Sequence, residues 1–438
     1  MKPASFTAAE LASLGPEKLP SEFKNDTHLI YSSPATLAFN SPGAEGFGVK
    51  RAGLSVPGSV MLIISPGCCG RNTGEITRIP GYEHRFFYLQ MDETDLVTGR
   101  HLRKIPEAVQ EIVDFLPEKP SVVMLCITCV DALLGTDMER VSRKAEEVAG
   151  VRVRPCYMYA LTREGRKPPM VHVRESLYSL VEKQKKRGTT VNFLGFFAGV
   201  QPDFELYEML HGLSVRKINE IGRCESFADF QRFGEANFSL VLNREAVPAA
   251  LDMEKRLGIP FILLERFYDI EAVQRQYQAL AQALGLSLEA DLGCQDAWDA
   301  VQKLQDAHPS LRFNVGESLN GNPFELSAAL VKYGFRVGEI YGNPTAEDFC
   351  YIRFLAAESP DTRILSNMEP TMLYYDSSEN PCDVTLGKDA AFYQPAARHV
   401  RFSEDEQPYG YAGIRRLMKV ILKSVQQCDC SVYTGEGE

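Results

Sequence analysis

From residue 59 onward the chain alternates short apolar, β-branched runs with longer amphipathic segments, and that alternation restricts it to strand–helix units around parallel sheets. The run Ser59-Val-Met-Leu-Ile-Ile-Ser65 is apolar between its terminal serines, as a strand covered on both faces must be. Strands are expected at Val60–Ser65, Arg85–Met91, Val122–Thr128 and Val151–Met158, with helices at His101–Leu116, Asp131–Val148 and Arg174–Lys186. A second block opens with a strand at Thr190–Phe197, a helix near Phe204–His211 and a strand at Ser239–Leu242. In the segment AVPAALDMEKRLGIPFILLERF, Gly258 and Pro260 separate a helix from a strand. Helices at Ile270–Leu284 and Cys294–Ala307 lead to a third block, with a strand at Arg312–Val315, a helix at Asn322–Tyr333 and a long helix at Tyr411–Gln426. A chain of 438 residues exceeds what one core supports, so three successive α/β blocks are expected.

Composition excludes several functions. A net charge of -11 argues against a general nucleic-acid binder, and the basic Lys183–Arg187 stretch reads as the solvated end of a helix. No apolar stretch approaches the ~20 residues that span a bilayer. The N-terminal MKPASFTAAELASLGPEKLP lacks an apolar signal core; its Thr7-to-Glu10 spacing is a capping box opening a short helix. A cytoplasmic protein without membrane contact is therefore expected. Eleven cysteines with no secretion signal do not read as a disulfide framework.

Two cysteine groups stand out. In Ser65-Pro-Gly-Cys-Cys-Gly-Arg-Asn-Thr-Gly74, Cys68 and Cys69 fall where the first strand leaves its sheet, the end at which open α/β sheets bind ligands. In the second group Cys126-Ile-Thr-Cys129 ends a strand, and a helix with Asp131 in its first turn is expected to begin at once. A thiol at a helix N-terminus is biased toward the thiolate that ligates metal. Cys68, Cys69, Cys126 and Cys129 thus form a candidate iron–sulfur ligand set. Other readings stay open: Cys126 as a buried small hydrophobe, the C-x-x-C as a redox dithiol, and a zinc site, for which the spacing is unusual. Cys156 reads as core.

The order of strand, PGC(C)G loop, second strand and TCVDALLGTDME segment resembles component 1 of nitrogenase and its relatives. These include the MoFe-protein α and β subunits, their cofactor-assembly homologues and the catalytic subunits of dark-operative protochlorophyllide reductase. Thr128-Cys129 with Leu134-Gly135-Thr136-Asp137 is similar to the family's T-C-x-x-x-(I/L)-G-D-D, whose cysteine ligates an interfacial iron–sulfur cluster. Asp92–Gly99 (DETDLVTG), Asn243–Phe261 (NREAVPAALDMEKRLGIPF) and Tyr409–Leu422 (YGYAGIRRLMKVIL) resemble further family segments, so the likeness is collinear over most of the chain. It implies three Rossmann-like domains with mostly parallel sheets, here at 1–188, 189–310 and 311–438, the first carrying the cluster cysteines.

Departures from the family pattern limit what carries over. The first cluster cysteine would fall near Asn40–Ala44, where there is none, so a four-iron cluster is implied over an eight-iron P-cluster. The cysteine holding the iron–molybdenum cofactor would fall near Leu242 or Asn243 and is likewise absent, leaving any additional metallocluster open. Alignment on Ser-Pro-Gly-Cys favours Cys68 as the ligand, alignment on Cys-Gly favours Cys69, and Cys126 offers an extra thiol. His399 lies in roughly the region of the cofactor-facing loop, and a structural role competes with a catalytic one.

No G-x-x-x-x-G-K-[ST] motif is present, so ATP hydrolysis would belong to a partner. The resemblance implies a P-loop iron–sulfur ATPase as that partner, and a second component 1-type subunit, identical or paralogous. The expected function is the iron–sulfur subunit of a two-component reductase, relaying electrons to a substrate or second metallocentre. The alternative is a scaffold for metallocluster assembly without substrate turnover.

Overall fold

The computed structural model describes residues 2–24, 48–66, 77, 80–127, 135–157, 167–184, 189–285 and 291–426. Within the range 2–24, strand β1 (Ser5–Thr7) leads into a helix, Ala8–Leu14, opened by the expected capping box: the Thr7 hydroxyl accepts from Glu10 N and the Glu10 carboxylate from Thr7 N.

The remaining strands form three sheets. The first holds β2 (Ser59–Ser65), β3 (Phe86–Gln90), β4 (Val122–Ile127) and β5 (Arg152–Tyr157) in the order β3-β2-β4-β5, all parallel. Pleating divides its side chains. Val60, Leu62, Ile64, Val123 and Leu125 pack under the helices His101–Phe115 and Met138–Ala149. Met61, Ile63, Met124, Cys126 and Cys156 occupy the opposite layer, with the helix Pro169–Tyr178. The second sheet holds β6 (Thr190–Leu194), β7 (Lys217–Glu220), β8 (Phe238–Val241) and β9 (Phe261–Leu263), ordered β7-β6-β8-β9 and parallel. The third holds β10 (Arg312–Gly316), β11 (Arg336–Tyr341), β12 (Arg363–Leu365), β13 (Val384–Leu386) and β14 (Arg398–Val400). Its order is β1-β12-β11-β10-β13-β14, parallel except for β1, which pairs antiparallel with β12. The chain divides into two compact units, 45–199 with 210–265, and 1–44 with 200–209 and 266–438.

Two helices differ from expectation. Of the one placed at Asp131–Val148, residues 131–134 lie outside the described residues, Met138–Ala149 is helical, and residues 135–137 interrupt it, with Gly135 at φ +65° and Asp137 capping the helix through Arg140 N. The one placed at Arg174–Lys186 spans Pro169–Tyr178, since Pro168-Pro169 start it early and Arg256 donates to the carbonyls of Tyr178 and Val181 at its end. Lys183 is therefore outside any helix.

Candidate functional site

The site builds from strand order. β2 and β4 are hydrogen-bonded neighbours, in register from Ser59 opposite Val122 to Ile64 opposite Ile127. Because β3 lies on one side of β2 and β4 on the other, the crevice beyond their carboxyl ends is the topological switch point of this sheet. The PGCCG and TCVD segments continue from these two strand ends. Cys68, Cys69 and Cys129 themselves lie outside the described residues.

The start of the first cysteine loop is fixed by its neighbour. The Tyr88 hydroxyl on β3 lies 2.9 Å from Ser65 O and 2.5 Å from Pro66 O, Ser65 Oγ is 3.1 Å away, and Met91 N donates to Ser65 O. Tyr88 thus ties β3 to the point where β2 leaves the sheet, a role nothing in the sequence signals.

After β3 the chain turns through Asp92–Gly99, the second segment carrying the family resemblance. Asp92 and Asp95 form a capping box around the helix Glu93–Thr98, and Gly99 closes it in the left-handed conformation. The fully buried Asp95 carboxylate receives Lys104 Nζ at 2.6 Å and Arg100 Nε at 3.1 Å, while His101 Nδ1–H donates to its carbonyl at 3.1 Å. The Lys104 hydrogen bond, aided by Asp92 N–H and Arg100, pulls Asp95 down to about 2. The turn therefore has a charge-locked acid at its centre.

Cys126 is fully buried on β4, directly opposite Cys156 on β5, in the layer shared with Met61, Ile63 and Met124. Burial, then the neighbouring Cys126, pushes the Cys156 thiol well above the ordinary range, and its Sγ lies 3.7 Å from Val49 O. Among the described residues no group of three or more His, Cys, Asp or Glu is placed to hold a metal ion.

The other two sheets repeat the switch-point arrangement. Between β6 and β8, Leu242 N donates to Leu194 O, and a Cβ on Gly195 would come 2.8 Å from Asn243 N, so the backbones leaving these two strands pack closely together. Between β10 and β13, Asp389 accepts from Glu317 N, Ser318 N and Asn367 Nδ2 at 2.9, 3.1 and 2.7 Å. Asn367 Nδ2 also reaches Glu317 at 2.9 Å; burial, with Asp389 adding, pushes Glu317 up to about 7. Sequence reasoning missed this pair, whose one signal is Gly316: a Cβ there would come 2.0 Å from Asp389 Oδ1. His399 is exposed on the edge strand β14, its Nδ1 3.0 Å from Thr385 Oγ1.

The tyrosine-glycine-tyrosine segment acquires a physical account. Glu205, buried, accepts from the Tyr277 hydroxyl at 2.6 Å and from Tyr411 N and Ala412 N at 2.7 and 3.2 Å, capping the helix Gly410–Gln426. Gly410 sits at φ +61°, and a Cβ there would lie 2.0 Å from Glu205 Oε1.

The sequence profile of nitrogenase component 1 type oxidoreductases matches residues 45–426. The chain belongs to that family. A nitrogenase iron-molybdenum cofactor biosynthesis protein NifE of Sinorhizobium fredii is 26% identical over 419 residues, covering 89% of this chain and 82% of the relative. The Klebsiella pneumoniae protein of the same name is 27% identical over 273 residues, 56% of this chain and 58% of its own. A nitrogenase molybdenum-iron protein alpha chain of Methanosarcina barkeri is 25% identical over 177 residues, 39% of this chain and 33% of that one. Among solved structures, one described as nitrogenase Cp1 at pH 6.5 superposes with a TM-score of 0.68 at 16% identity, covering 95% of this chain and 96% of that one. The mixed α/β fold with mostly parallel sheets is thus a nitrogenase component 1 fold. No helix among the described residues is long and apolar enough to cross a membrane.

Proposed function

We propose that this chain is the iron–sulfur subunit of a nitrogenase-like two-component reductase, accepting electrons from an ATP-hydrolysing iron–sulfur partner. The observation that supports the reading is that β2 and β4, the strands preceding the two cysteine segments in the sequence, are adjacent and parallel at a switch point. Cys68 or Cys69 from one segment and Cys129 from the other would hold a four-iron cluster, with thiols from a second component 1-type chain completing the set. The donor chemistry fits: thiolates are the usual ligands of such clusters, which store single electrons.

This chain's own residues then hold the loops. Tyr88 anchors the PGCCG segment, and the Asp95–Lys104–Arg100 lock fixes the turn after β3. Cys126 is fully buried in an apolar layer opposite Cys156, whose own thiol burial pushes well up, and this environment supports a structural role for Cys126. To this reading belong a division into domains 1–188, 189–310 and 311–438 and a cytoplasmic location. His399, exposed on an edge strand, remains the weakest catalytic candidate.

A second reading, a scaffold that carries a metallocluster precursor without substrate turnover, is favoured by the relatives whose names describe cofactor biosynthesis. One experiment separates the two. The chain is purified anaerobically with its companion subunit, mixed with its ATPase partner, reductant and ATP, and assayed for reduction of candidate substrates. It is assayed in parallel for transfer of iron and sulfide to an apo acceptor protein. Multiple-turnover reduction supports the reductase; transfer of cluster iron with no sustained substrate reduction supports the scaffold.

A further inference from the structure

Three helices of the unit containing the third sheet, Ile270–Ala283, Pro323–Lys332 and Phe349–Glu358, enclose a cleft of about 610 Å³. That volume lies within the range of small-molecule sites. Its floor is Ala272, Ala328 and Ala329, and aromatic rings of Phe267, Tyr351 and Phe354 also line it. Glu325, Ala328, Ala329 and Lys332 recur at helical spacing, so a single helix face supplies both the hollow and its polar edge.

The charged groups divide sharply by commitment. Glu325 accepts from Tyr268 N and Asp269 N at 2.9–3.0 Å, and burial, against those donors, pushes it up to about 8. Near neutral pH it is therefore largely uncharged and does not repel an anion. Asp269 caps the helix at Ile270 through Glu271 N and pairs with Lys332 at 3.1 Å, and Lys332 also reaches Glu271 at 2.7 Å. Arg275 differs. Its side chain is 67% exposed, and its ion pair to Glu271 stretches to 3.9 Å while Lys332 occupies that carboxylate more closely. Its planar guanidinium keeps a bidentate face available.

We infer that this cleft binds a small amphipathic carboxylate, its aryl or branched-alkyl body over the alanine floor beside the aromatic rings and its carboxylate on Arg275. Such a site needs no metallocluster, so its test is independent of the redox reading above.

The test is isothermal titration of the full chain with 4-phenylbutanoate and with the neutral 4-phenylbutanamide, using wild type, Arg275→Gln and Ala328→Leu. The expected result is saturable carboxylate binding to wild type that weakens by about tenfold or more for the amide and for Arg275→Gln, as loss of a charge-assisted pair requires. Ala328→Leu, which fills the floor, should abolish binding. No saturable binding to wild type, equal binding of acid and amide, or unchanged binding in Arg275→Gln overturns the inference. Should Ala328→Leu fail to fold by circular dichroism, the exposed Arg275→Gln and the amide comparison still decide it.

Discussion

Replacing Gly410 with alanine tests whether the tyrosine-glycine-tyrosine segment is a structural device. An added Cβ at φ +61° costs about 1–2 kcal/mol in backbone strain alone. It would also lie 2.0 Å from Glu205 Oε1, forcing the carboxylate off Tyr411 N, Ala412 N or the Tyr277 hydroxyl. Each hydrogen bond to a charged group contributes roughly 1.5–3 kcal/mol, so losing one brings the total to about 3–5 kcal/mol. At roughly 2–4 °C per kcal/mol for a domain of this size, the melting temperature should fall by about 6–20 °C. Trp298, the single tryptophan of the chain, lies in the same unit and packs edge-on against Tyr333, so its fluorescence reports that unit's unfolding. Gly285→Ala is the control: it shares the unit and a positive φ of +73° but has nothing within 4 Å of the added atom, so only the strain of about 1–2 kcal/mol applies. In a Glu205→Ala/Tyr277→Phe background, which removes both close oxygens (Tyr277 Oη would lie 2.3 Å from the added atom), Gly410→Ala should cost no more than that control. Equal melting shifts for Gly410→Ala and Gly285→Ala in the wild-type background would refute the reasoning.

Glu317 titrates near 7 when folded and lower when unfolded, so between those values the folded chain holds a proton the unfolded chain has released. Stability should thus be highest below the unfolded value and fall as pH rises to about 7. Glu317→Gln should flatten that slope and gain about 1–3 kcal/mol at pH 8 in urea titrations. Asp95 behaves oppositely: held down at about 2, its contribution is present above the ordinary carboxylate range and lost as pH falls toward 2. Asp95→Asn should lower the melting temperature at pH 7 and reduce the difference between pH 7 and pH 3. Cys126→Ala removes a buried sulfur from an apolar layer and should cost about 1–2 kcal/mol in chemical denaturation, with Cys156 remaining unreactive to iodoacetamide in the folded chain.

Periodicity made the first block legible because its central strands β2 and β4 are buried on both faces and its helices strongly amphipathic: β2, β4 and the helix His101–Phe115 lie where the pattern puts them. The third sheet was harder to read. β12, β13 and β14 span three residues each, too short for a two-residue alternation to register. β1 is equally short and finds its partner more than 350 residues away. α/β alternation allows β2 and β4 to be neighbours without requiring it, and Tyr88 and the Glu317–Asp389–Asn367 cluster depend on strand order that no local pattern encodes. Capping residues were reliable local signals: Thr7 and Gly258 each sit at the helix end that their chemistry predicts.

The most direct measurement is iron and acid-labile sulfide per chain, with an EPR spectrum after dithionite, on anaerobically purified wild type, Cys129→Ala and Cys126→Ala. A brown wild type with about two to four irons per chain is predicted, lost in Cys129→Ala and retained in Cys126→Ala. An iron-free wild type, or a folded Cys129→Ala variant with unchanged iron and spectrum, would contradict a cluster at the two cysteine segments.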